Sequence, residues 1–224
     1  VYDARGITYA RYDGTAWHYE PVSSEPGTCA HESLVLDAEG GVHIAYYDVS
    51  RRQIVYARPG EGGWTLESLP AEVQDLSALA VDSQRAVHVA YRDLEGGVGY
   101  ARWDGSGWLA EAIAVDEGQD VFLALDGADQ PHVVYQGEEG NMHARRDGAW
   151  AVQPLTAITG TLGALAGGPD GALHLATYVV DEEWPYNWTL YYAHQVGEAW
   201  QVQPVIEGAQ GDIFESDYYV SLAI

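Results

Sequence analysis

The chain has 224 residues, a formal net charge of −24 and a single cysteine, Cys29, and all ten of its basic residues are arginine. Phosphate recognition needs a basic stripe, so this balance excludes nucleic acid and an anionic membrane surface as partners. No internal disulfide can form, and no apolar run is long enough for membrane insertion.

Read in chain order, one pattern returns throughout. The N-terminal stretch carries "YARYDGTAW" (Tyr9–Trp17) and then "WHYEPV". The next unit runs "SLVLD" (Ser33–Asp37), "VHIAYYD" (Val42–Asp48), "YARPGEGGW" (Tyr56–Trp64) and "WTLESL". The same four segments follow as "ALAVD" (Ala78–Asp82), "VHVAYRD" (Val87–Asp93), "YARWDGSGW" (Tyr100–Trp108) and "WLAEAI". They return as "FLALD" (Phe122–Asp126), "PHVVYQG" (Pro131–Gly137), "HARRDGAW" (His143–Trp150) and "WAVQPL". A last full copy has "ALAGG" (Ala164–Gly168), "LHLATYV" (Leu173–Val179), "YAHQVGEAW" (Tyr192–Trp200) and "WQVQPV", and the chain ends on "SLAI" (Ser221–Ile224).

The segments are short, rich in β-branched and aromatic residues, and bounded by Gly, Asp or Pro, which is strand and turn chemistry. A period of roughly 42–46 residues predicts four strands per unit. The fold class expected is all-β: one domain over 1–224, a five-bladed β-propeller of four-stranded antiparallel blades. Four blades fall near 29–70, 76–115, 119–155 and 162–206, and a fifth is shared between 1–22 and 217–224. Pairing of the N- and C-terminal segments then closes the ring and removes its sheet edges. The rival arrangement is a segment of a longer repeat array. The Trp after each Gly-containing turn opens the outer strand. At ~25 cal/mol/Å² over ~150–250 Å² it supplies several kcal/mol to its blade without any ligand.

"YDGTAW" and "WDGSGW" resemble degenerate Asp-boxes, and the whole unit resembles the bacterial BNR (sialidase-like) propeller repeats. The likeness covers almost the entire chain. It departs from the box in placing Asp next to Gly, in lacking the leading Ser/Thr, and in losing the Asp at Val196–Trp200. The resemblance implies that the box is a folding turn, on the face opposite the usual ligand site. It gives little support to sialidase activity. That chemistry uses three clustered arginines, whereas Arg5, Arg51, Arg52, Arg85 and Arg92 are spread over several loops.

Four kinds of residue are candidates for function. His43, His88, His132 and His174 share one position, either as an imidazole ring for metal or proton transfer or as histidines packed against a neighbouring blade. The loops between second and third strands share a face with the blade-joining loops. That face is rich in carboxylates, and Ca²⁺ is the cation it would suit, although no contiguous calcium loop is present; no other cofactor is implied. Glu32, Asp75, Asp120 and Asp217 fall near inner-strand starts, where paired carboxylates could serve a glycoside hydrolase. The clearest break in the repeat is "VDEEWPYNW" (Val180–Trp188). It offers Trp184, Tyr186 and Trp188 for stacking, and Asp181, Glu182, Glu183 and Asn187 for polar contacts.

The function expected is non-catalytic binding: a lectin-like propeller, secreted or at the cell surface, holding a glycan or protein ligand on this loop face. The alternatives are the glycoside hydrolase and a structural subunit of an extracellular or surface assembly, which would self-assemble.

Overall fold

The structure is a computed structural model that describes residues 6–23, 29–115, 118–180, 187–210 and 222, the side chains of 29, 30, 77 and 210 excepted. The described residues form strands and turns, with no helix. A hairpin of β1 (Thr8–Tyr12) and β2 (Trp17–Pro21) comes first. The first four-stranded sheet has β3 (Cys29–Leu36), β4 (Val42–Asp48), β5 (Gln53–Gly60) and β6 (Gly63–Ser68). The second has β7 (Val73–Val81), β8 (Val87–Asp93), β9 (Val98–Trp103) and β10 (Trp108–Ala114). The third has β11 (Gln119–Leu125), β12 (Pro131–Gly137), β13 (Gly140–Asp147) and β14 (Ala149–Pro154). The fourth has β15 (Thr161–Gly167), β16 (Leu173–Val180), β17 (Asn187–Val196) and β18 (Ala199–Gln210).

Every sheet is antiparallel with its strands in sequence order, as short turns require. The first strands β3, β7, β11 and β15 adjoin one another in that order. The sheets therefore stack face to face, and a separate core fills each gap. Tyr47, Ile54 and Tyr56 meet Leu79, Val89 and Tyr91 between the first two sheets. Val98 and Tyr100 meet Leu123 and Val133 in the next gap, and Val134 meets Leu162 and Leu175 in the one after. Val22 of the hairpin packs on Ile44, Tyr46 and Val55. Sandwiching explains why second strands such as β4 and β8 read as near-continuous apolar runs buried on both faces, while β2 and β14 are largely exposed.

The expected fifth blade is represented by the two-stranded β1–β2 hairpin. Its remaining strands, and the pairing of the chain ends, were assigned to segments that lie outside the described residues, apart from Leu222. The described residues thus comprise five sheets rather than a closed ring.

A β-bulge interrupts each first strand, at Ala30/Ser33, Leu76/Ala78, Gln119/Phe122 and Leu162/Ala164. One extra residue there bends the strand and re-aims its side chains. Just before the last of these bulges, Gly160 sits at φ +87°, and a Cβ would run into the Tyr178 carbonyl and the Val179 side chain. Asn141 Nδ2 also donates to the Gly160 carbonyl at 3.0 Å. Gly160→Ala is expected to cost about 2–4 kcal/mol in urea unfolding. A neutral result would mean that the crossing from third to fourth sheet is not held in this conformation.

Candidate functional site

Antiparallel order divides the turns between two faces. Turns joining first to second and third to fourth strands lie on one, and the remaining loops on the other. The first face is occupied by a repeated hydrogen-bond device. Asp37 Oδ1 accepts the backbone N–H groups of Glu39 and Gly41 at 2.9 and 2.6 Å. Asp82 does the same for Gln84 and Ala86, and Asp126 for Ala128 and Gln130. The second carboxylate oxygen faces His43, His88 or His132 at 3.4, 3.3 and 3.4 Å. Each ring's Nδ1 then reaches the third strand of its own sheet, at Tyr56 (2.7 Å), Tyr100 (2.6 Å) or His143 (2.9 Å). In the fourth sheet Gly168 replaces the turn Asp, and a Cβ there would collide with His174. Asp170 approaches His174 Nε2 at 3.6 Å instead, and Tyr192 lies 2.6 Å from Nδ1.

These partners fix the protonation states. The N–H of Gly41 leads in holding the Asp37 carboxyl below its ordinary range. Burial pushes Asp82 and Asp126 up, but backbone N–H groups and the facing His outweigh it and hold both down. Burial lowers His88 and His132, and brings His143 down to about 4. The histidines therefore do not converge as a ring. They are packed, but their bonds stay inside their own sheets, because the His and its partner are cross-strand neighbours. Among the described residues no three His, Cys, Asp or Glu side chains are grouped to hold a metal ion.

It is the third-strand ring that reaches the next sheet. Tyr9 meets Trp64, Tyr56 meets Trp108, Tyr100 meets Trp150 and His143 meets Trp200, edge-on at 5.5, 6.2, 5.0 and 6.0 Å. Turn residues on this face add polar links between sheets, through Arg85–Glu39 and through Ser83 donating to Asp129. Asp13 and Asp104 cap the third-to-fourth turns through their own backbone, beside Gly14 and Gly105 at φ +96° and +94°. This face is spent on folding.

The opposite face carries the candidate site. His31 on β3, Asp75 on β7, Arg92 on β8 and Asp120 on β11 come from three consecutive sheets. Asp75 and Arg92 are directly opposed in the β7–β8 ladder. His31 Nδ1 stands 3.2 Å from Asp75 Oδ1. His31 and Asp120 occupy the bulge and have φ of +52° and +46°, an uncommon conformation for either residue. Burial raises the Asp75 carboxyl against the pull of His31 and Arg92, and raises Asp120 against Arg92. Two carboxyl groups on inner strands thus resist ionisation, and the Arg92 guanidinium opposes that in both.

The sequence pointed to Asp75 and Asp120 but not to Arg92. The legible signal was that Arg92 stands where "VHIAYYD" has Tyr47. Glu32 is exposed beside His31, and Asp217 lies outside the described residues. Of the loop expected to bind ligand, Asp181, Glu182, Glu183, Trp184 and Tyr186 lie outside the described residues. Asn187 and Trp188 open β17, where Trp188 pairs with both Val180 and Ala209 and is half-buried. The β17–β18 ladder reaches Asn187↔Gln210, farther toward this face than the corresponding ladders of the other sheets.

No family model matches the chain, and no curated protein matches it. Solved structures do resemble it. Virginiamycin B lyase from Staphylococcus aureus superposes with a TM-score of 0.61 at 13% identity, over 92% of this chain and 65% of that one. The Aleuria aurantia lectin, in complex with Fucalpha1-6GlcNAc, gives 0.58 at 15% identity over 93% and 74%. SapL1 lectin, in complex with alpha methyl fucoside, gives 0.59 at 15% identity over 91% and 73%. The chain thus spans about two thirds to three quarters of the length of these structures. At such identities the likeness is one of fold: four-stranded sheets stacked in succession, the β-propeller architecture.

Proposed function

We propose that the chain is a non-catalytic, lectin-like β-propeller that binds a glycan on the face carrying Asp75, Arg92, Asp120 and the Asn187–Trp188 hairpin. The observation that carries this reading is the fold shared with the Aleuria aurantia and SapL1 lectins, both in complex with fucosides. Support comes from the division of labour between faces: one is tied up in turn-capping bonds, while the other carries polar side chains on inner strands and, on the fourth sheet, the Asn187–Trp188 end of β17. Trp184, Tyr186 and Trp188 supply stacking surfaces in this reading, and Asp181, Glu182, Glu183 and Asn187 supply hydrogen bonds. Closure as a five-bladed ring belongs to the same proposal. Leu34 is 51% exposed whereas its counterparts Leu79 and Leu123 are each 6% exposed, so an apolar seat on β3 awaits a neighbouring strand. The acidic surface and the lack of lysine suit a secreted or surface protein.

A glycan-array screen of the purified chain, with and without calcium, tests the function. The wild type is expected to bind a defined set of glycans, and a Trp184→Ala/Trp188→Ala variant to lose at least tenfold in affinity. A folded wild type that binds no glycan overturns the reading.

The second reading is a glycoside hydrolase with Asp75 and Asp120 as its carboxylates. It is favoured by their raised protonation equilibria around Arg92. Hydrolysis of aryl glycosides that falls about 10²–10⁴-fold in Asp75→Asn would establish it.

A further inference from the structure

The contacts between sheets repeat one arrangement. The third-strand ring stands directly opposite a Glu or Gln of the outer strand: Tyr56 opposite Glu67, Tyr100 opposite Glu111 and His143 opposite Gln153. Opposed residues share a face of the ladder, so each pair points together at the next sheet. There the tryptophan that opens the outer strand meets the ring, and Trp150 also interacts with Glu111.

The fourth sheet carries the same pair, Tyr192 opposite Gln203. Tyr192 bonds His174 as Tyr56 and Tyr100 bond His43 and His88. Ala193, next along β17, packs toward the third sheet, so Tyr192 points away from it. Among the described residues its ring neighbours are His174 and His194 rather than a tryptophan. Tyr192 is half-buried, whereas Tyr56 and Tyr100 are sealed.

At the other end of the stack the hairpin sets Tyr9 against Trp64 of the first sheet. Tyr12 and Trp17 pair on its other face. Their rings lie 5.4 Å apart at 43°, much as Trp103 and Trp108 lie 5.8 Å apart at 49° where they receive Tyr56. Yet Tyr12 and Trp17 are 53% and 58% exposed, whereas Trp103 is 8% exposed. The hairpin is a tryptophan face without a ring, and the fourth sheet is a ring without a tryptophan.

We propose that the open face of the β1–β2 hairpin docks the chain's own fourth sheet, with Trp17 seated on the Tyr192–Gln203 pair. This rests on the ring closure included in the reading above and names the surfaces that meet. Charge opposes a second copy as the occupant, since two chains of −24 repel each other. The chain's own hairpin is tethered, at high effective concentration. "SLAI" (Ser221–Ile224) follows β18 in the chain and repeats the first-strand segment that the hairpin lacks. Through this contact, removing Trp17 costs no more than the net free energy of closing, because the stack then reverts to its open arrangement. The seam therefore fixes the shape of the ring more than its stability.

Closure is read in ¹⁹F spectra of protein carrying 5-fluorotryptophan at its eight tryptophans, with the Trp17 signal assigned by its loss in Trp17→Phe. Tyr192→Leu and Gln203→Ala are each expected to move the Trp17 signal by more than its linewidth, at every protein concentration, in a chain that sediments as a monomer. Gln203 is exposed, so its variant decides the matter if Tyr192→Leu does not fold. A Trp17 signal that moves only as the concentration rises, together with a doubled mass, makes a second copy the occupant and overturns the proposal. A signal indifferent to the substitutions overturns it as well. The glycan array, run on the same protein, keeps the two readings apart. A blank array with a responsive Trp17 removes the lectin and leaves the seam, and the reverse removes the seam and leaves the lectin.

Discussion

Trp150→Ala is expected to lower the unfolding free energy by about 3–5 kcal/mol, the range for removing a large aromatic from a packed site. Trp150 opens the outer strand of the third sheet and packs against the core shared with the second. Its ring meets Tyr100 at 5.0 Å with an interplanar angle of 68°, an edge-on geometry that adds about 0.5–1.5 kcal/mol beyond area burial. Nearby, Arg146 Nε and Nη2 donate to the two oxygens of Glu111 at 2.9 and 2.7 Å, bridging the same pair of sheets. The Trp150 side chain also interacts with Glu111, adding to the hold of Arg146 that keeps that carboxyl below its ordinary range. The same substitution at Trp17, which is 58% exposed, is expected to cost under about 1 kcal/mol. Urea unfolding of the two variants compares them directly, and equal losses would sink the claim that the inter-sheet contact carries the stability.

Acid is expected to unfold the protein well before its carboxylates are all protonated. An unfolded histidine takes up its proton near pH 6.5, whereas His143 in the folded protein does so only at about 4. Between those values the unfolded state holds more protons, so stability falls as the pH drops from about 6.5 toward 4. At pH 5 the loss from His143 alone is about 2 kcal/mol. His88 and His132, lowered by the same burial, add to it with the same sign. Below that range Asp37, Asp82 and Asp126, all held down in the folded state, lose their turn-capping advantage as they are protonated. His143→Tyr separates these contributions. Tyrosine already stands at this position in the other complete sheets, as Tyr56, Tyr100 and Tyr192, each bonded to its blade's histidine. The variant should lose about 2 kcal/mol less than the wild type between pH 7 and pH 5, read from urea midpoints at each pH. Identical pH dependence would mean that His143 is not held neutral by its surroundings.

What was legible in the sequence was local. "VHIAYYD", "VHVAYRD" and "PHVVYQG" correspond residue for residue to β4, β8 and β12, because turn residues bound them closely and both faces are buried. The Trp of each unit indeed opens or nearly opens an outer strand. What depended on register was not legible. The His43–Tyr56 bond joins residues thirteen apart, and nothing in either segment names the other. The same holds for Asp75 and Arg92, which become neighbours only when β7 and β8 pair with a bulge at Leu76/Ala78. Asp75 lies four residues before Leu79 whereas Asp120 lies three before the equivalent Leu123, so position in the repeat separates the two. The structure nevertheless places both within the electrostatic influence of Arg92, Asp75 as its cross-strand partner and Asp120 from the third sheet.

The handover of a third-strand ring to the next sheet's tryptophan makes the described sheets a series of units, each coupled to its neighbours. A perturbation at one boundary is felt by the two sheets that share it and is attenuated beyond them, as in a one-dimensional lattice with nearest-neighbour terms. Cooperativity is then limited by the weakest boundary rather than by total buried area. The boundary that joins the third and fourth sheets, where His143 replaces tyrosine against Trp200, is the one whose strength depends most on pH. Acidification is therefore expected to loosen that boundary before those between the first three sheets, which carry the His31–Asp75–Arg92–Asp120 cluster.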